Sequence, residues 1–147
     1  MPEIKREKDS NLTHARCDHI GLFSQKASEL TAFYTGVLGF EITAESTLPE
    51  SIMESIFGLA DECRFVKLHK DGFMIEIFQP LSAGLSKWIA GVVGINHWGY
   101  CVDDRIAFAD KMRSDGHQLV EIDRNGRSVY FLIDPDGNRI EIRESTG

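Results

Sequence analysis

Long apolar runs, paired cysteines and an excess of positive charge are all missing from this chain. No stretch approaches the roughly 20 apolar residues that cross a bilayer as a helix. The opening residues, MPEIKREKDSNLT, are polar and lack the apolar centre of a signal peptide. Residues 1–13 therefore read as a polar tail. Cys17, Cys63 and Cys101 stand singly, with no C-x-x-C pair. An odd count suits no closed disulfide set, and a reducing cytoplasm is the simplest setting. The formal net charge is −7. Without a basic stripe to offset it, that charge argues against a nucleic-acid partner. The KREK run near the start reads as a solvated charge cluster.

What is present suffices for a core. The chain has 147 residues, 42% of them hydrophobic and 27% charged. That composition fits one globular domain, or two small halves sharing one core. The halves show in an echo. DGFMIEI (71–77) and DGNRIEI (136–142) carry Asp, Gly, Ile, Glu and Ile in the same register, and DHIGLF (18–23) answers NHWGYC (96–101). In both copies a His comes first and a Glu last. Glu76 follows His19 by 57 positions, and Glu141 follows His97 by 44. The order suggests one duplicated supersecondary unit.

RCDHIGLF reads as a strand. In SELTAFYTGVLGF, Leu30, Phe33, Val37 and Leu38 follow helical spacing, and Gly39 is a stop. In the second half Ile106, Ala109 and Met112 follow that spacing, with Asp103 or Asp104 as cap and Gly116 as end. RFVKLHKDGFMIEIFQ and SVYFLIDPDGNRIEIRE each read as two strands joined at an Asp-Gly turn. The extra residues of the first half, TLPESIMESIFGLADE, read as a loop with a short helix. LSAGLSKWIAGVVG (81–94) reads as a partly helical connector.

Alternate residues of a strand face opposite ways. Met74, Glu76 and Phe78 share one face; Ile75 and Ile77 share the other. Arg139, Glu141 and Arg143 share a face against Ile140 and Ile142. The isoleucines are expected under the helices. A lone ionised carboxylate is costly to bury, and His19 and His97 supply a reason for it. Two His and two Glu, brought together by the two halves, form a mixed nitrogen and oxygen donor set. That set suits one divalent ion: Zn, Ni, Co, Mn or Fe. Four protein ligands around a six-coordinate ion leave two positions for water or substrate, unlike a closed structural zinc site.

DHIGLF, FYTGVLGFEI, MIEIFQP, NHWGYCVDD and DPDGNRIEI together resemble the vicinal oxygen chelate superfamily. That group includes glyoxalase I, methylmalonyl-CoA epimerase, extradiol dioxygenases and fosfomycin resistance proteins. The resemblance spans about residues 14–144. It implies an α+β fold of two tandem βαβββ modules, forming a curved, partly closed mixed sheet around a metal site. Residues 14–147 would be one domain, with module one at about 14–80, a linker at 81–94 and module two at 95–144. The implied metal ligands are His19, Glu76, His97 and Glu141, a layout similar to glyoxalase I and the epimerase. IFQP, after Glu76, departs from the Thr-x-Asn-like stretch of glyoxalase I.

The function this implies is a metal-dependent isomerase or lyase of glyoxalase or epimerase type. It would chelate a small oxygenated substrate and move a proton next to a carbonyl. Glu141 is the first choice for the base, and Glu76 the second. Arg139 and Arg143 are candidates to hold an anionic substrate group; Arg64 and Trp98 are weaker substrate-binding candidates. The rival readings are an Fe(II) extradiol-type dioxygenase, a thiol transferase, and a metal-free protein that binds a small molecule or confers resistance. A homodimer is expected.

Overall fold

The computed structural model describes residues 19–82 and 97–144, together with Cys17 and Ile95. The polar tail and most of the 81–94 connector lie outside the described residues. Module one runs β1 (His19–Phe23), α1 (Ala27–Gly36), β2 (Glu41–Leu48), α2 (Glu50–Phe57), β3 (Cys63–Lys70) and β4 (Phe73–Pro80). Module two runs β5 (His97–Val102), α3 (Arg105–Ser114), β6 (Leu119–Arg124), β7 (Arg127–Ile133) and β8 (Arg139–Glu144). Apart from α2, the two series are the same βαβββ unit.

Each module forms its own four-stranded mixed sheet, in the orders β1-β4-β3-β2 and β5-β8-β7-β6. The first strand of each lies parallel to the last, and the other pairings are antiparallel. The sheets are not closed. Where a partly closed curved sheet was expected, there are two open sheets, and among the described residues no ladder joins them.

The strand alternation places the isoleucines as expected. Ile75, Ile77, Ile140 and Ile142 are buried in one apolar cluster with Leu30, Phe33, Ala109 and Met112. Burying each of the larger side chains, Ala109 aside, contributes about 1.5–3 kcal/mol. α1 packs on β3 and β4, and α3 packs on the strands of module two. Ile106 departs from its expected place: it is exposed, while Ala109 and Met112 of the same stripe are buried. A second cluster, Met53, Leu59, Cys63 and Phe78, lies under α2.

Local chemistry explains the element ends. Asp104 caps α3 by accepting from the Ala107 N–H at 2.9 Å. α1 ends at Gly36, a turn before the expected stop at Gly39. Asp71 and Gly72 both have positive φ, as a two-residue β3–β4 hairpin requires. The second Asp-Gly behaves differently. Only Gly137 has positive φ, and residues 134–138 form a longer loop around buried Asp134. The tight turn of module two is instead Asn125–Gly126, between β6 and β7.

The modules also touch. The Tyr34 hydroxyl donates to Asp134 Oδ2 at 2.7 Å. Phe73 stacks on Trp98 with centroids 5.7 Å apart, and Lys70 Nζ donates to the Tyr100 hydroxyl at 2.6 Å.

Candidate metal centre

The duplicated fold puts His and Glu on neighbouring strands in the same way twice. His19 opens β1 and pairs in register with Met74; Gly21, two residues on, lies opposite Glu76. His97 opens β5 and pairs with Arg139, and Gly99 lies opposite Glu141. In each module the imidazole and the carboxylate are therefore diagonal neighbours on one face. His19 Nε2 lies 3.5 Å from Glu76 Oε1, and His97 Nε2 lies 3.5 Å from Glu141 Oε2. The glycines keep this face open. A Cβ at Gly99 would meet only Arg143 Cγ, at 4.0 Å, and one at Gly21 would meet Phe78 Cε2, at 3.4 Å.

The half-buried carboxylates and more exposed imidazoles suit a surface-accessible ion. Side-chain exposure is 17% and 21% for Glu76 and Glu141, against 44% and 42% for His19 and His97. Two donors that each sit roughly 2.1 Å from one ion lie about 3.0–3.4 Å apart, depending on the angle between them. The two observed separations are close to that range. Each pair has the spacing to offer two donors to one ion. Among the described residues no group of three or more His, Cys, Asp or Glu is placed to hold an ion, so the two pairs are not assembled into one four-ligand cluster.

The remaining candidates are scattered. Arg143 Nη1 lies 3.3 Å from Glu141 Oε1. Arg139 lines a cavity of about 150 Å³ with His97, Trp98 and residues of β1. Arg64 is turned to the helix side, where Nη1 donates to Ser28 Oγ at 2.6 Å and Nη2 reaches Glu45 Oε1 at 3.3 Å. That places it across the sheet from Glu76, because Arg64 pairs with Gln79 while Lys67 pairs with Glu76. Trp98 packs against the core with Tyr34, Phe40 and Phe73. Cys17 and Cys101 are exposed, and Cys63 is buried. Burial and the Asp61 carboxylate push the Cys63 thiol up to about 11, so it stays protonated and inert.

Sequence reasoning overlooked the two glycines as part of the site. Their signal was in view, since each stands two residues after its His in both copies. It also passed over Arg105 and Arg127, which border the cavity beside Glu141. Neither lies in a repeated motif.

A family model described as the Glyoxalase/Bleomycin resistance protein/Dioxygenase superfamily matches residues 16–142. No curated protein sequence matches the chain. Solved structures with the same fold include a trypanothione-dependent glyoxalase I of Leishmania major, at 20% identity and TM-score 0.65, covering 88% of this chain and 86% of that one. A genomically encoded fosfomycin resistance protein of Listeria monocytogenes, complexed with Mn(II) and a dihydroxypropylphosphonic acid, aligns at 18% identity and TM-score 0.61, over 90% and 94%. An antibiotic-binding protein of a Streptomyces species aligns at 13% identity and TM-score 0.58, over 88% and 95%. At these identities the likeness is one of fold.

Proposed function

The chain belongs to the glyoxalase, bleomycin resistance protein and dioxygenase superfamily, and from that premise we propose a divalent-metal-dependent isomerase or lyase. The observation that carries the reading is the repeated His–Glu pair, with the same register and the same 3.5 Å separation in both modules. Surface ion pairing gives no reason for such a repeat. His19, Glu76, His97 and Glu141 would hold the ion, which as a Lewis acid would polarise a carbonyl bound beside it.

The rest of the work falls to the chain's own groups. Gly21 and Gly99 leave the face above each carboxylate open to a small oxygenated substrate. Glu141 takes a proton from the carbon next to the carbonyl and returns it, as a carboxylate within hydrogen-bond reach can. Its Oε2 faces His97 and its Oε1 faces Arg143, so both oxygens have neighbours that fix their direction. Glu76 is the corresponding group of module one.

The test is metal content per chain after purification without air, followed by Glu141→Gln. About one Zn, Ni, Co or Mn per chain supports proton transfer. Glu141→Gln is then expected to fold normally and to lose turnover by roughly 10²-fold or more on a substrate that the wild type converts. Iron in place of those ions would favour the dioxygenase. Absence of any ion, with no uptake on addition, would overturn the proposal and favour a metal-free binding protein.

A further inference from the structure

The two modules treat one equivalent place in opposite ways. Two residues beyond its strand glutamate, module one has Phe78 and module two has Arg143. Phe78 is buried beneath α2 among Phe23, Phe57 and Phe65, with centroids 5.0–5.9 Å away. The β3–β4 ladder there is continuous from Cys63↔Pro80 to Lys70↔Phe73. The β7–β8 ladder instead ends at Tyr130↔Ile142, although β7 begins at Arg127 and β8 continues to Glu144. The strands part, and a cavity of about 230 Å³ occupies the gap. Arg105, Asn125, Arg127, Ser128, Glu141 and Arg143 line it. Val129 and Ile142 border it as well.

The charge in this gap runs against that of the whole molecule. Three arginines border it in a chain of formal net charge −7. Arg105 is a fixed wall. It is only 13% exposed, it donates to the Ser128 carbonyl, it lies 5.4 Å from the Tyr130 ring centre, and its Nε is 3.8 Å from Glu144 Oε1. Arg143 is 61% exposed and reaches Glu141. Arg127 is exposed and, among the described residues, has no ion pair. Glu141 and Glu144 thus offset two of the three positive charges and leave the third uncompensated. Gathering like charges costs free energy unless an anion joins them, and a guanidinium fork matches the oxygens of carboxylate or phosphate.

We propose that this gap binds an oxyanion, the carboxylate or phosphate group of a small molecule, through Arg127 and Arg143 against the fixed charge of Arg105. The cavity is smaller than the roughly 300–1,000 Å³ that takes a whole drug-sized ligand, so it suits the charged end of one. Glu141 borders the same cavity, which sets the anion beside the carboxylate assigned to proton transfer. That the anion belongs to the substrate rests on that assignment; its binding in the gap does not.

The experiment follows the arginine Nε–Hε resonances of ¹⁵N-labelled protein at neutral pH, freed of metal with EDTA that is then removed by dialysis. Inorganic phosphate and acetate are titrated separately, against sodium chloride at matched ionic strength. Saturable shifts at Arg105, Arg127 and Arg143 are expected with phosphate or acetate, and the stronger arm identifies the oxyanion class. Arg127→Gln and Arg143→Gln should each weaken binding at least about fivefold, with the remaining amide spectrum unchanged. Lys111→Gln, on α3 outside the gap, should leave it within about twofold. Shifts no larger than those of chloride, or wild-type affinity in Arg127→Gln and Arg143→Gln, would overturn the proposal. Because EDTA removes metal, the two readings fail separately. Phosphate binding in a protein that takes up no ion keeps the gap and sinks the enzyme reading, and metal uptake without phosphate binding does the reverse.

Discussion

A single buried carboxylate shows how much one side chain can hold together. Asp134 is 3% exposed. Its Oδ1 accepts from the backbone N–H of Asp136 and of Asn138, both at 2.9 Å, and its Oδ2 accepts from Asn138 Nδ2 and the Tyr34 hydroxyl, both at 2.7 Å. Burial and the Asp134 charge push the Tyr34 hydroxyl well above the usual range for tyrosine, so it remains a donor at any working pH. Tyr34→Phe takes one donor from a buried anion and is expected to lower the unfolding free energy in urea by about 1–3 kcal/mol. A loss under about 0.5 kcal/mol would show that the bond adds little beyond its replacement by water. The sequence marked a turn at Asp136–Gly137 but not the buried role of Asp134. Its partner lies 100 positions away, and no local pattern carries that information.

At the scale of elements, the strands with a buried face were readable and the edges were not. Ile140 and Ile142 alternate with charged residues, and Ile75 and Ile77 flank Glu76, because one side of each sheet meets helices. β2 is exposed almost throughout, as the outer strand of its sheet, and carries a register shift between Ile42 and Ala44. Nothing in EITAESTL needs burying strongly enough to impose a pattern. β6 is the corresponding edge of module two, with Val120 and Ile122 exposed. The start of α1 was equally hidden. Lys26 at its N-cap makes no side-chain capping hydrogen bond. The cap comes from Gln79 at the end of β4, whose Oε1 accepts from the Ala27 N–H at 3.0 Å while its Nε2 donates to the Gln25 carbonyl at 3.2 Å. The Gln of IFQP, where the resemblance to glyoxalase I breaks down, thus has a structural use. Gln79→Ala should cost about 0.5–2 kcal/mol in urea unfolding, the range for losing a helix cap. An unchanged midpoint would mean that water replaces the amide.

For the whole molecule, the two His–Glu pairs set the main question. All four side chains are described, each pair is formed, and the pairs are not gathered into one cluster. The two pairs were legible because each His and each Glu stands in a repeated motif. How the halves combine was not, since it depends on module packing rather than on register. The expected homodimer offers a solution, in which module one of one copy faces module two of the other. A mixing experiment checks it. One variant carries His19→Ala and Glu76→Ala, the other His97→Ala and Glu141→Ala. Sites shared between copies should restore metal uptake when the two inactive variants are unfolded and refolded together, because one site of each mixed dimer is then intact. Sites built within one chain would stay empty in the mixture.

The pairing of β1 with β4 has a consequence in time. Ile20 lies beside Ile75, with α1, β2, α2 and β3 between them in the chain. The strand that is made first must wait for the strand that is made last in its module, and the same holds for β5 and β8. Such distant pairing delays folding, because the intervening chain must be closed before the contact forms. Each His can therefore meet its Glu only once the last strand of its module has been made, so the pair cannot form on an incomplete module.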